Sequence, residues 1–249
     1  SGNIAVGDEE VRRFMHFING FNQLFDGNNN EVIRNKYTEI KEFLANKKEG
    51  DMDNRDILTI KGLIRRGEAR TSCTFNQIPL SRCHFLDLPF YETGKIEKNP
   101  ISEADIEIVL KLLREVQPHQ IYVAGDLADP HGTHRVCTDA VFAAVDAEKE
   151  NGAEWLKECR IWMYRGAWAE WEIENIEMAV PFSPEELREK RNSILKHQSQ
   201  MESAPFLGND ERLFWQRSED RNRGTASLYN QLGLACYEAM EAFVEYKPL

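Results

Sequence analysis

The sequence lacks the features that mark membrane proteins and disulfide-stabilised proteins. No apolar stretch approaches the ~20 residues that a membrane-spanning helix needs, so a membrane partner is excluded. The five cysteines are odd in number and include no Cys-x-x-Cys pair, which argues against a disulfide framework and predicts a cytoplasmic location. Cys73, Cys137 and Cys236 fall in helical patterns, and we expect them to pack in the core.

Long basic blocks and linkers are also missing. The 31 lysines and arginines are scattered and the net charge is −11, so nucleic acid is excluded as a partner. No linker-like stretch divides the 249 residues, which predicts a single domain over 1–249. The chain opens at Ser1 with neither an initiator methionine nor a signal-peptide pattern, so we expect it to be a fragment of a longer protein.

Hydrophobic periodicity predicts alternating helices and strands. Helices are expected over 8–25, 31–46 and 54–77, after the N-caps Ser102 and Ser183, and over 212–223 and 226–244. Buried strands are expected over 83–88, 120–124 and 159–164, with an edge strand over 177–181. Asp87, near the end of the first strand, is either a site carboxylate or the cap of a turn.

The chain is organised around a polar loop that follows the apolar run 121–124 and precedes a helical pattern beginning near Thr133. In parallel α/β sheets, ligands bind where strands end and helices begin. His131 and His134 lie in this stretch together with Asp126 and Asp129. We expect the two histidines to sit at the carboxyl end of a central parallel strand and to face one pocket.

The two histidines suit different chemical roles. With Thr133 as N-cap, His134 falls in the first helical turn, where the positive end of the helix dipole disfavours an imidazolium, and a neutral imidazole can bind a metal. His131 is free of that constraint and can carry a proton for acid catalysis or stabilise an oxyanion. The alternative is that both are polar residues around a helix cap, because two histidines at this spacing form a weak motif.

The loop resembles the Asp-Pro-His-Pro-Asp-His-Arg signature of the LmbE/PIG-L family, zinc-dependent deacetylases that act on N-acetylglucosamine-type groups. The matching residues are Asp129-Pro130-His131-Gly132-Thr133-His134-Arg135. Other stretches resemble the family in the same order, so the resemblance spans most of the chain: Arg65-Arg66-Gly67-Glu68-Ala69-Arg70, Phe85-Leu86-Asp87-Leu88-Pro89 and Lys196-His197-Gln198-Ser199-Gln200.

A narrower resemblance points to the C-terminal half of the long glucosamine-6-phosphate deaminase-like proteins of Bacteroidetes. It rests on the stretches 88–94, 164–168 and 229–234. In those proteins a deaminase-like domain precedes an LmbE-like one, so the resemblance implies an upstream deaminase-like domain in the same parent protein. It also implies an α/β fold, Rossmann-like with three αβα layers and a mostly parallel sheet, that lacks its first strand in this chain.

The resemblance assigns roles to site residues. His134 would bind zinc together with a His and an Asp that this chain does not contain, so the zinc site is incomplete. His131 would be catalytic, and Asp129 would bind substrate. Two departures weaken the match: Gly132-Thr133 stands in place of Pro-Asp, and the family's His-Pro-Asp-Asp segment has no counterpart. The missing first strand would leave an unpaired edge beside 120–124.

Aromatic and basic residues complete the predicted sugar site. Trp168 and Trp171 follow a strand end, and aromatic faces pack well on sugar C–H surfaces. We expect one of them to reach the pocket of His134; the alternatives are a lid or a homo-oligomer interface. Arg65 would normally belong to a solvated helix face with Glu68 as its partner. The resemblance implies instead that Arg65 faces the sugar, whose oxygens a planar guanidinium suits.

Two functions follow from these patterns. The chain is a zinc-dependent deacetylase of an N-acetylglucosamine-type amino sugar, or it is a non-catalytic sugar-binding or assembly module of a glucosamine-6-phosphate deaminase. The lost Asp between the histidines and the absent metal segment favour the second. Zinc analysis discriminates between them, because one histidine alone cannot form a tight zinc site.

Overall fold

A computed structural model describes residues 9–48, 51–91, 99–125, 132–166, 169–201, 210–233 and 236–247. Its helices are α1 (Glu9–Leu24), α2 (Asn30–Asn46), α3 (Arg55–Phe75), α4 (Glu103–Val116), α5 (Thr133–Glu150), α6 (Pro184–Ile194) and α7 (Phe214–Gln231). Its strands are β1 (Gln120–Ala124), β2 (Arg160–Tyr164), β3 (Met178–Phe182) and β4 (Ala239–Tyr246). None of the described helices is long and apolar enough to cross a membrane.

The chain forms two compact units, and the prediction of one domain over 1–249 stays a prediction. The first unit joins Ser1–Cys83 to Lys196–Ser203 and contains α1, α2 and α3. Asn29 and Asn54 cap α2 and α3 by accepting hydrogen bonds from backbone N–H groups three residues later. The three helices share a core formed by Phe21, Phe25, Ile40, Ile57 and Ile60.

The second unit joins His84–Leu195 to Ala204–Leu249 and contains the described sheet, in the order β1-β2-β4-β3. β1 and β2 are parallel, while β4 is antiparallel to both β2 and β3. The α/β class is confirmed, but the mostly parallel sheet is wrong for the described strands, since one pairing of three is parallel. As predicted, β3 lies at an edge, here of the sheet formed by the described strands.

The error in the sheet arises in the last segment, which was expected to be a helix over 226–244. Instead α7 ends at Gln231 and the chain returns as β4. Alanine, methionine and glutamate favour helices, so the local preference of 239–242 is helical. β4 pairs with β3 over 239–243 and with β2 over 243–246, and Ala239, Met240 and Ala242 are buried. This tertiary gain overrides the local preference.

The core of this unit lies against the parallel pair. Val123 and Ile161 come from β1 and β2, and α4 and α5 cover them with Val109, Leu110, Leu113, Ala140, Ala144 and Val145. The expected core positions of Cys137 and Cys236 are wrong, because both side chains are exposed; Cys73 is half-buried.

The predicted strand 83–88 is not a strand. Leu86 and Leu88 pack on the core as their alternation requires, but the segment has no strand pairing, and Asp87 takes a left-handed φ of 50° that interrupts extended backbone. β1 is the end strand of the described sheet, so its expected central position is wrong there. On the side away from β2, no described strand pairs with β1.

Candidate functional site

The carboxyl end of β1 is fixed to its neighbours by two hydrogen bonds. The N–H of Gly125 donates to the carbonyl of Tyr164 at 2.7 Å and extends the parallel pairing one residue beyond β1. The hydroxyl of Thr138 in α5 donates to the carbonyl of Ala124 at 2.7 Å. The strand end and the following helix are therefore held together, while the predicted residues Asp129 and His131 lie outside the described residues.

His134 lies in the first turn of α5, as predicted, but the cap is different. Gly132 is the N-cap with φ 65°, so Thr133 is the first helical residue and not the cap. Proline cannot adopt a positive φ, so the Gly-Thr pair changes the backbone as well as removing the carboxylate of the signature. The His134 side chain is exposed.

Trp171 lies directly on the end of β1. A Cβ atom built on Gly125 would stand 2.7 Å from Cζ2 of Trp171 and 2.8 Å from Cβ of Met163, so only glycine permits this approach. The guanidinium of Arg165 lies 3.9 Å from the centroid of the Trp171 ring. The indole thus reaches the strand end that precedes the predicted site loop. Its role in substrate binding stays a prediction, and Trp168 lies outside the described residues.

A buried charge network adjoins Trp171. Arg221 of α7 donates to Glu170 Oε2 at 2.8 Å and also pairs with Glu241 of β4. Lys190 of α6 donates to the other oxygen of Glu241 at 2.5 Å, and Thr225 donates to Glu170 at 2.6 Å. The network ties the segment after β2 to α6, α7 and β4.

Burial and charge shift the pKa values of this network. Burial lowers the pKa of Lys190 below its ordinary value, although Glu241 opposes the shift. Burial alone would raise the pKa of Glu241, but the charges of Lys190 and Arg221 outweigh it, and the pKa lies below its ordinary value. Burial, together with the charges of Glu241 and Cys137, raises the pKa of Tyr164. Sequence reasoning missed these residues because it placed β4 in a helix.

The first unit contains Arg65, which is exposed on α3. Its expected partner Glu68 is instead 4% exposed, and its carboxylate accepts the backbone N–H of Ser199 at 2.7 Å and the Ser199 hydroxyl at 2.6 Å. Nδ1 of His16 lies 3.6 Å from the same carboxylate. Two stretches that carry the LmbE/PIG-L resemblance, the Arg-x-x-Glu helix and the segment after His197, therefore meet in direct contact.

No group of three or more His, Cys, Asp or Glu side chains within the described ranges is arranged to hold a metal ion. The predicted metal ligand is His134. Asp126, Asp129 and His131 of the same loop lie outside the described residues.

The chain is similar to part of a longer protein. No protein-family model matches the chain. A protein of Bacteroides thetaiotaomicron described as glucosamine-6-phosphate deaminase-like is 84% identical over all 249 residues, and the chain spans 38% of its length. This match confirms the resemblance to glucosamine-6-phosphate deaminase-like proteins. Among solved structures, a deacetylase of teicoplanin biosynthesis aligns with 15% identity and a TM-score of 0.44, covering 79% of this chain and 76% of that one.

Proposed function

We propose that the chain is the N-deacetylase part of a longer protein of amino-sugar metabolism, with zinc as its metal and an N-acetylglucosamine-type sugar as its substrate. The observation that carries the proposal is the end of β1, where α5 begins with His134 in its first turn and Trp171 packs on Gly125. In parallel α/β sheets, ligands bind where strands end and helices begin.

The residues fit zinc only in part. A catalytic zinc site needs three protein ligands and an open position, and the described residues offer His134 alone from the predicted set. Zinc, when bound, polarises the amide carbonyl and a water molecule. The other ligands are proposed to come from outside the described residues, in the parent protein.

The proposal gives the chain's own residues separate tasks. His134, in the first turn of α5, holds the metal through its imidazole ring. His131 and Asp129 are proposed to contact the scissile amide and the sugar. Trp171 presents an aromatic surface to the sugar.

A non-catalytic sugar-binding or assembly module is the second candidate. Gly132 favours it, because its positive φ departs from the backbone that the proline of the signature imposes. In this case Trp171 and the neighbouring side chains would still bind sugar, but the chain would neither hold zinc tightly nor release acetate.

Zinc titration and acetate release discriminate between the two candidates. We expect the longer protein to bind one zinc ion and release acetate from N-acetylglucosamine, and H134A to abolish both. H119A is the matched control, because His119 is also exposed in the same unit but precedes β1. The 249-residue chain alone should bind zinc weakly. Nanomolar, stoichiometric zinc binding by that chain would show that the ligand set is complete within it.

A further inference from the structure

An open cavity of about 510 Å³ lies between α7 and the segment that follows β2. Its size is within the range of small-molecule sites. Glu170, Trp171, Arg221 and Thr225 contribute to its wall, and Leu228 adds an apolar patch. The wall therefore combines an aromatic ring with planar polar side chains and a hydroxyl group.

The charges around the cavity are already paired. Each arginine of the wall has a carboxylate partner: Arg221 with Glu170 at 2.8 Å, Arg212 with Asp220 at 2.8 Å, and Arg217 with Asp210 at 3.5 Å. An entering phosphate would have to displace a carboxylate or stand beside it. A neutral hydroxyl group can instead donate to the carboxylates and accept from guanidinium N–H groups without disturbing the pairs.

Gly224 keeps one side of the cavity open. It lies in the interior of α7, where glycine is less favourable than alanine, and a Cβ built there meets no atom within 4 Å. A larger side chain at 224 would therefore enter free space at the cavity wall without a backbone clash.

We infer that this cavity binds an uncharged, polyhydroxylated ring, that is, a saccharide without a phosphate group. The hydroxyls would hydrogen-bond to Arg221, Glu170 and Thr225, while the C–H surfaces would pack on Trp171. The inference rests on the proposed function for the identity of the sugar, an N-acetylglucosamine-type group. It adds that the protein selects the unphosphorylated form. Trp171 also contacts Gly125, so the cavity adjoins the proposed site.

Calorimetric titration with N-acetylglucosamine, N-acetylglucosamine 6-phosphate and inorganic phosphate tests the inference. We expect the unphosphorylated sugar to bind at least tenfold more tightly than its 6-phosphate. G224L should weaken that binding at least tenfold, because leucine would project from the cavity wall and narrow the space for a ring. G62L is the matched control, since Gly62 also lies inside a helix with no atom within 4 Å of its Cβ, and it should leave the affinity unchanged.

Folding of each variant is checked by far-UV circular dichroism, and G224A provides a smaller change at the same position. Tighter binding of the 6-phosphate, or unchanged affinity in a folded G224L protein, would overturn the inference. Because binding is measured without turnover, these outcomes are separate from acetate release. Failure to deacetylate with intact sugar binding would overturn the proposed enzyme and leave the saccharide site standing.

Discussion

Replacing Arg221 with methionine is expected to lower the free energy of unfolding by about 3 kcal/mol. The guanidinium is 7% exposed and pairs with both Glu170 and Glu241, so its loss leaves two carboxylates in a largely buried position. Removing one partner of a buried ion pair costs about 3–5 kcal/mol. The lower end applies because Lys190 still donates to Glu241 at 2.5 Å and Thr225 still donates to Glu170 at 2.6 Å.

Tryptophan fluorescence in urea measures this effect selectively, because all five tryptophans belong to the unit that contains Arg221. With a urea m-value of about 2 kcal/mol/M, the midpoint should fall by about 1.5 M. R212M is the matched control: the Arg212 side chain is 50% exposed, and surface ion pairs contribute about 0–1 kcal/mol. Losses of equal size in the two variants would refute the argument from burial.

Three further predictions concern other contacts. S199A should destabilise the first unit by about 1.5–3 kcal/mol, seen as a lower urea midpoint by circular dichroism, because the buried carboxylate of Glu68 loses a 2.6 Å hydrogen bond. G125A should cost about 1–3 kcal/mol and shift the tryptophan emission, since its Cβ would overlap Trp171; unchanged emission would contradict the packing. E241Q should be less stable than wild type at pH 7, and the difference should shrink as the pH falls below 4.5. The pKa of Glu241 is lower in the folded state, so its stabilising contribution is lost on acidification; a constant difference would refute this.

Local signals in the sequence predicted the helix starts well. Ser102 and Ser183 begin α4 and α6 with capping boxes, in which the backbone N–H of each serine donates to a carboxylate three residues later, at 2.8 Å in both cases. These contacts lie within four consecutive residues, so the sequence alone specifies them. The start of α5 was displaced by one residue because the positive φ of Gly132 supplies the cap.

The segments that the sequence misassigned depend on distant partners. Residues 83–88 have the alternation of a strand, yet strand pairing requires a neighbour that no local pattern reveals. Glu241 lies in a segment with helical preference, and its burial between Lys190 and Arg221 follows only once β4 has paired with β2 and β3. The histidine and tryptophan predictions came from a local motif, whereas the contacts of the charge network join residues up to 55 positions apart.

The pairing of Glu68 with Ser199 has a consequence for synthesis of the protein on the ribosome. The two residues are 131 positions apart, and Lys196–Ser203 complete a unit that otherwise ends at Cys83. At translation rates of about 5–20 residues per second, Glu68 waits roughly 7–26 s for its partner to be synthesised. During that interval most of the second unit is synthesised, so the first unit is completed only after most of the second unit has been made.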